Sequence, residues 1–380
     1  MENVKVFDKA NSIAQMLVKD HEYTDVRVRI RRLQEQLLKN EDSSYRAQVV
    51  LRACNDLLGE SPDPHFGLRE HVVEELERLP DEFLQRYLFY RYRYDVYPEQ
   101  KVVDDFPPCL QVEPTSVCNY RCVFCYQIDP EFTARSNGHM GMMSLDLFKS
   151  VIDQAEGQCE AITLASRGEP LICPDFEKML EYLTGKFLGL KVNTNASLLD
   201  EKKCHAILQA DINTLVFSAD AASEPLYSQL RVKGNLERVL TNIRRFQEIQ
   251  KRDYPDSKMI TRVSGVKYSV DQDINEMEQL WGDLVDQVAF VDYNPWENTY
   301  QQPLNDVLTP CSDLWRRTFV WFDGTVNPCD VDYKTTMAVG NVNNENLSEL
   351  WTGEKYTNLR EAHLAKKRSA QSPCNRCTVV

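Results

Sequence analysis

The sequence predicts an α/β protein with a parallel β/α array at its centre, a helical segment before it and a cysteine-bearing segment after it. Three observations carry that reading. From about residue 106 to 300, short apolar runs alternate with helical stretches, the pattern of strands joined by crossover helices. Before this region, apolar residues recur at helical spacing within a charged frame. Beyond it stand two cysteine pairs, Cys311 with Cys329 and Cys374 with Cys377. The expected divisions are 1–105, 106–300 and 301–380.

In the first division, Val26, Ile30, Leu33, Leu37 and Leu38 recur at helical spacing, as do Val49, Val50, Leu51, Cys54, Leu57 and Leu58. Pro80 interrupts a third stretch, and Asp81 is the expected N-cap of the next helix. Its aromatic run, Tyr87 to Tyr97, reads as a packing face. This segment is expected to cap the active site, bind a partner or form a dimer contact. Phe106-Pro107-Pro108 marks the boundary. Expected strands follow at Leu110–Val112, Ala161–Ala165, Gly189–Asn193, Thr214–Ser218, Lys258–Ser264 and Gln287–Val291. Helices are expected near 145–156, 174–183, 202–210, 236–250 and 274–284. These six strands fall short of the roughly eight of a closed barrel, whose active site lies in loops at the C-terminal strand ends.

The loop after the first of these strands reads Cys118-Asn-Tyr-Arg-Cys122-Val-Phe-Cys125. Three thiolates at this spacing can hold three irons of a 4Fe–4S cluster and leave the fourth iron open for chemistry. A zinc knuckle or a redox dithiol is the alternative. The four C-terminal cysteines suit tetrahedral zinc or a second, closed cluster equally well by spacing.

Composition narrows the classes. The chain has 380 residues, 42% of them hydrophobic and 27% charged, which suits a soluble globular protein with a sizeable core. It has no apolar run long enough to span a membrane and no signal segment at Met1, so a cytoplasmic location is expected. There, the 12 cysteines read as metal ligands and buried thiols rather than disulfides. A net charge of −14 argues against broad nucleic-acid binding.

With Phe124 at the aromatic position, the three-cysteine loop resembles the C-x3-C-x-aromatic-C signature of the radical S-adenosylmethionine (SAM) superfamily. That resemblance implies a partial (β/α)6 TIM-like barrel, a SAM-binding 4Fe–4S cluster and generation of a 5′-deoxyadenosyl radical. Ser166-Arg167-Gly168-Glu169-Pro170 resembles the family's Gly-Gly-Glu-Pro motif, implying Gly168 and Glu169 at the SAM amino group. Arg167 replaces a glycine there and is expected to face substrate or form a structural ion pair. Asn193-Thr194-Asn195 resembles the ribose-side turn, implying a role for Asn195. Ser218-Ala-Asp220 with Arg231 resembles the pattern whose serine and arginine bind the SAM carboxylate.

Phe319 through Cys329, Val339-Gly-Asn-Val and Leu347-Ser-Glu-Leu-Trp351 resemble the SPASM/twitch extension. The shorter, twitch-like form implies one auxiliary 4Fe–4S cluster on Cys311, Cys329, Cys374 and Cys377. A fully ligated cluster would relay electrons. The resemblance implies hydrogen abstraction from a sugar, polyol or aminocyclitol-like small molecule, followed by oxidation or epimerisation, with flavodoxin or ferredoxin as electron donor. A peptide-modifying maturase is the alternative enzyme, and a zinc-stabilised binding protein the alternative from another class. Candidate hydrogen donors are Cys173 and Cys204, and candidate proton acceptors Asp292 and Tyr293. Arg135 and His139 lie in a long loop near the expected mouth, while Cys54, Cys109 and Cys159 read as core residues.

Overall fold

The computed structural model describes residues 6–7, 13–18, 26–40 and 42–380. The signal-peptide reading at Met1 lies outside these residues. A strand, β1 (Ile13–Val18), precedes four helices: α1 (Val26–Lys39), α2 (Tyr45–Leu58), α3 (Glu70–Arg78) and α4 (Leu84–Gln100). The array then runs β2 (Cys109–Val112), β3 (Arg121–Cys122), α5 (Pro130–Thr133), α6 (Leu145–Ala155), β4 (Ala161–Leu164), α7 (Phe176–Leu183) and β5 (Gly189–Thr194). It continues α8 (Glu201–Gln209), β6 (Thr214–Ser218), α9 (Leu226–Leu230), β7 (Arg231–Val232), α10 (Leu236–Asp253), β8 (Ile260–Lys267), α11 (Ile274–Gly282) and β9 (Gln287–Asp292). The C-terminal part holds β10 (Arg317–Val320), β11 (Thr325–Asn327), β12 (Gly340–Asn341), α12 (Leu347–Thr352) and α13 (Glu354–Leu364).

One ten-stranded sheet has the order β1-β9-β8-β6-β5-β4-β2-β10-β11-β12. Its six central strands, β2, β4, β5, β6, β8 and β9, are parallel neighbours in chain order. This is the expected α/β array of a partial TIM-like barrel. It is open at both edges, where a closed barrel would have about eight strands. The apolar side chains of β4, β5 and β6 pack against α6, α7, α8 and α10 in one continuous core. The C-terminal segment belongs to the same sheet, because β10 pairs parallel with β2 and carries the β11 and β12 antiparallel extension.

The N-terminal helices form a second core that includes Cys109 and Ala161, the first residues of β2 and β4. Arg86 of α4 makes a two-pronged ion pair with Glu160, just before β4. The helices therefore cover the start of the strands, at the end opposite the loops that follow them, while Phe7 of the same division lines the cavity at the strand ends. The aromatic run packs as expected, with Tyr87, Phe89, Tyr90, Tyr92 and Tyr97 buried.

Two further expectations change. The segment expected to be wholly helical contributes β1, which pairs antiparallel with β9 and covers that sheet edge. Asp81 does not cap a helix: the chain makes a 3-10 turn at Asp81–Phe83, and the Asp81 carboxylate takes an ion pair from Arg29.

Leu88 lies fully buried in the helical core, whereas Leu38 is 61% exposed. Leu88→Ala is expected to lower the unfolding free energy by about 2–5 kcal/mol, and Leu38→Ala by under about 0.5 kcal/mol, read from urea denaturation.

Candidate functional site

A cavity of about 450 Å³ opens at the C-terminal ends of the central strands. Cys118, Cys122 and Cys125 line it together, in the loop that follows β2. Backbone and side-chain bonds fix this loop. The Cys125 amide donates to the Cys122 carbonyl at 3.0 Å, and β3 pairs antiparallel with β7, placing Cys122 beside Arg231. Gln127 donates to the Ser116 carbonyl at 2.7 Å and also to that of Arg167. Burial pushes the Cys118 thiol up to about 12. Loading a metal cluster here must therefore displace protons, since only the thiolate is a ligand.

The Ser166–Pro170 turn lies directly against this loop. A Cβ on Gly168 would stand 2.3 Å from the Thr115 carbonyl oxygen and 2.6 Å from that of Val117, so only glycine permits this approach. The buried Glu169 carboxylate accepts bonds from the Asn195 amide at 2.7 Å, the Thr194 hydroxyl at 2.6 Å and the Leu171 amide at 3.2 Å. Burial raises its pKa despite these bonds. Its carboxylate thus pins the turn after β5, and Asn195 continues the chain of bonds to Asn119, inside the cysteine loop, at 3.0 Å. Ser166 has φ of 138°, a strained backbone for a residue with a side chain. Its hydroxyl and the Asn193 side-chain oxygen are buried at the cavity with no hydrogen-bond partner.

Across the cavity, Asp220 and Arg231 form a buried ion pair. Burial raises the Asp220 pKa even beside the guanidinium. Arg231 also reaches to 3.8 Å from the Cys122 sulfur and lies over the Phe124 ring at 5.9 Å. Ser218 lines the same wall. All six residues expected around SAM (Phe124, Gly168, Glu169, Asn195, Ser218 and Arg231) therefore meet at one cavity with the three cysteines.

Other expectations resolve differently. Arg167, at the cavity wall, forms the structural ion pair. It is 2% exposed and bonds Glu113 through Nε at 2.7 Å and Nη2 at 2.6 Å, while Nη1 donates to the Tyr333 carbonyl at 3.0 Å. Cys173 and Cys204 lie in the apolar core and are not among the residues that line the cavity. Cys54, Cys109 and Cys159 are buried as expected. His139 stacks on Phe132 outside the cavity lining, and Arg135 is exposed. Asp292 and Tyr293 do line the cavity, and the Tyr293 hydroxyl donates to Glu297.

Cys311, Cys329, Cys374 and Cys377 surround a small cavity of about 20 Å³. The buried Arg368 guanidinium holds that loop, donating to the Cys374 and Cys377 carbonyls at 3.2 and 2.7 Å. Among the described residues, no three His, Cys, Asp or Glu side chains converge on the point that a single metal ion would occupy. Four thiols around one void are the donor set of a fully ligated 4Fe–4S cluster. Asp330 lines both this cavity and the larger one. Sequence reasoning missed Asp330, although it directly follows a candidate ligand. It also missed Glu113, a lone carboxylate at a strand exit.

Glu113→Gln would leave Arg167 charged and buried without its partner. Urea denaturation is expected to show a loss of about 3–5 kcal/mol.

Residues 112–280 match the radical SAM superfamily and residues 311–378 an iron–sulfur cluster-binding domain, SPASM. The mycofactocin maturase MftC of Mycolicibacterium smegmatis is 25% identical over 183 residues, 47% of this chain and 44% of the maturase. The chain thus spans less than half the length of that relative. The S-adenosyl-L-methionine-dependent 2-deoxy-scyllo-inosamine dehydrogenase of Niallia circulans is 20% identical over 71% of this chain and 92% of its own. The fold is similar to BtrN in complex with AdoMet and 2-DOIA, with TM-score 0.51, 18% identity, and 73% and 95% coverage of the two chains. It is also similar to Streptococcus suis SuiB bound to precursor peptide SuiA, with TM-score 0.52, 14% identity, and 98% and 91% coverage. Among the described residues no helix is long and apolar enough to cross a membrane. The cofactors are SAM, its 4Fe–4S cluster and auxiliary iron–sulfur clustering in the C-terminal part. The chain belongs to the radical SAM superfamily and carries a SPASM iron–sulfur cluster-binding domain.

Proposed function

We propose that this enzyme abstracts a hydrogen atom from a hydroxyl-bearing carbon of a small polar substrate (a sugar, polyol or aminocyclitol-like molecule) and oxidises that carbon to a carbonyl. The carrying observation is the cavity wall. The Ser166 hydroxyl and the Asn193 oxygen face it, buried and without partners, and such groups call for a polar ligand. Among the described residues, the thiols lining the cavity are only Cys118, Cys122 and Cys125. With no separate thiol there to return a hydrogen atom, oxidation is favoured over epimerisation.

When bound and reduced, the three-cysteine cluster supplies the electron that cleaves SAM to the 5′-deoxyadenosyl radical. Gly168 lets its turn pack against the cysteine loop, where SAM would lie, while Glu169 and Asn195 hold that turn. Ser218 and Arg231 form the wall for its carboxylate, and Phe124 packs beneath Arg231. Asp292, exposed at the end of β9, receives the proton lost from the substrate hydroxyl. Cys311, Cys329, Cys374 and Cys377 would hold the group that accepts the remaining electron, and Asp330 lines both cavities. Flavodoxin or ferredoxin is the proposed reductant. Peptide modification is the second reading, supported by the likeness to the maturase.

The test uses anaerobically reconstituted protein with SAM, dithionite and a panel of carbon-deuterated polyols and aminocyclitols. Deuterium should enter 5′-deoxyadenosine, with a ketone formed alongside. Replacing Cys311, Cys329, Cys374 and Cys377 together by Ala should leave 5′-deoxyadenosine forming and abolish the ketone. Undiminished ketone from that variant would refute electron transfer to the C-terminal group. Deuterium transfer only from peptides would favour the maturase reading.

A further inference from the structure

A closed parallel barrel fills its interior with branched apolar side chains. This one places charge there. On β5, Leu190 and Val192 pack into the helix-facing core, so alternation turns Lys191 and Asn193 to the inner face. Thr163 of β4 and Gln111 of β2 stand in register with Lys191. These residues line a second cavity, of about 280 Å³, which α4 closes through Tyr90 and Arg91.

Arg262 of β8 and Arg316 and Arg317 at β10 add cations to this lower cavity. Arg69 lines it too, and of its five other cations three have carboxylate partners: Arg91 pairs with Asp95 at 2.8 Å, and Arg316 and Arg317 share Asp313 at 3.3 Å. Two do not. The Arg262 guanidinium bonds the neutral side-chain oxygen of Gln287, and Lys191 has no hydrogen-bond or ion-pair partner among the described residues. Glu75 also lines the cavity and attracts both, but burial outweighs it: the Lys191 pKa is pushed down to about 8, and that of Arg262 is also lowered.

A largely covered cation without a charged partner is costly, and the cavity of about 280 Å³ has room for an anion. Two unmatched positive charges across one cavity suit a compact dianion with several acceptor oxygens better than a single carboxylate. We propose that the base of the barrel is an oxyanion site in which Lys191 and Arg262 bind a phosphate group. The upper and lower cavities share Gln111, Asn193 and Arg317 in their linings. The phosphate can therefore be a free anion or the end of a phosphorylated molecule that extends toward the mouth. The site stands whether or not the proposed oxidation is correct.

The test titrates inorganic phosphate into the cluster-loaded protein by calorimetry, at constant ionic strength set with chloride. One phosphate should bind per chain, and Lys191→Met and Arg262→Gln should each weaken it by about tenfold or more. Lys202→Met, on the surface and 79% exposed, should bind as the unmodified protein does. Because Lys191→Met removes an unmatched, half-buried charge, it should raise the melting temperature in phosphate-free buffer, which a merely damaged fold would not do. No phosphate binding by the unmodified protein, or unchanged binding in both cavity variants, overturns the proposal. Glucose 6-phosphate separates the two sources. Tighter binding than inorganic phosphate marks a phosphorylated molecule, and equal or weaker binding marks the free anion.

Discussion

The buried pair of Glu113 and Arg167 ties together the exits of β2 and β4 and the C-terminal segment, just where the sheet hands over to the loops of the site. Glu113 leaves β2 just ahead of the cysteine loop, and Arg167 leaves β4 just ahead of Gly168 and Glu169. Both are gripped by the C-terminal segment. The Glu113 amide donates to the Val320 carbonyl at 2.9 Å, and the Phe322 amide donates to the Glu113 carboxylate at 3.3 Å. Arg167 lies over the Trp321 ring at 4.1 Å and bonds the Tyr333 carbonyl. Taking two charges out of water costs several kcal/mol, which these bonds and the stacked ring offset only when the geometry is kept. The pair therefore specifies arrangement more than it adds stability.

That arrangement governs the chemistry available to the site. With β10 hydrogen-bonded to β2, the C-terminal cysteines sit in the same frame as the cysteine loop, and Asp330 borders both groups. The Gly168 turn touches the backbone of Thr115–Val117, so the SAM-side motifs and the cluster loop cannot move independently. The N-terminal helices work at the other end, where they close the strand starts.

Much of this was legible in the sequence because it is local. The six central strands carry apolar alternation between turn residues, and their intervening helices carry a 3.6-residue period, so strand order and the loop positions at their ends followed. The motif residues were legible through chemistry and order along the chain. What escaped depends on distant partners. Residues Ile13–Val18 become a strand because the edge of β9 accepts them, and β10 joins the central sheet across some two hundred residues. The role of Arg167 was undecidable without Glu113, and Asp81 was read as a cap because its partner Arg29 lies on another helix. Cys173 and Cys204 looked like candidate donors from their places in the chain, yet both face the apolar core.

The central claim is that two separate cysteine groups, held in one sheet, each carry an iron–sulfur cluster. The most direct test is metal analysis with electron paramagnetic resonance on protein loaded anaerobically with iron and sulfide, comparing the chain with variants that lack one cysteine group or the other. The account predicts about eight irons per chain, falling to about four in either variant, with a different cluster signal lost in each. Zinc at the C-terminal group, or a single signal that vanishes in both variants, would contradict it.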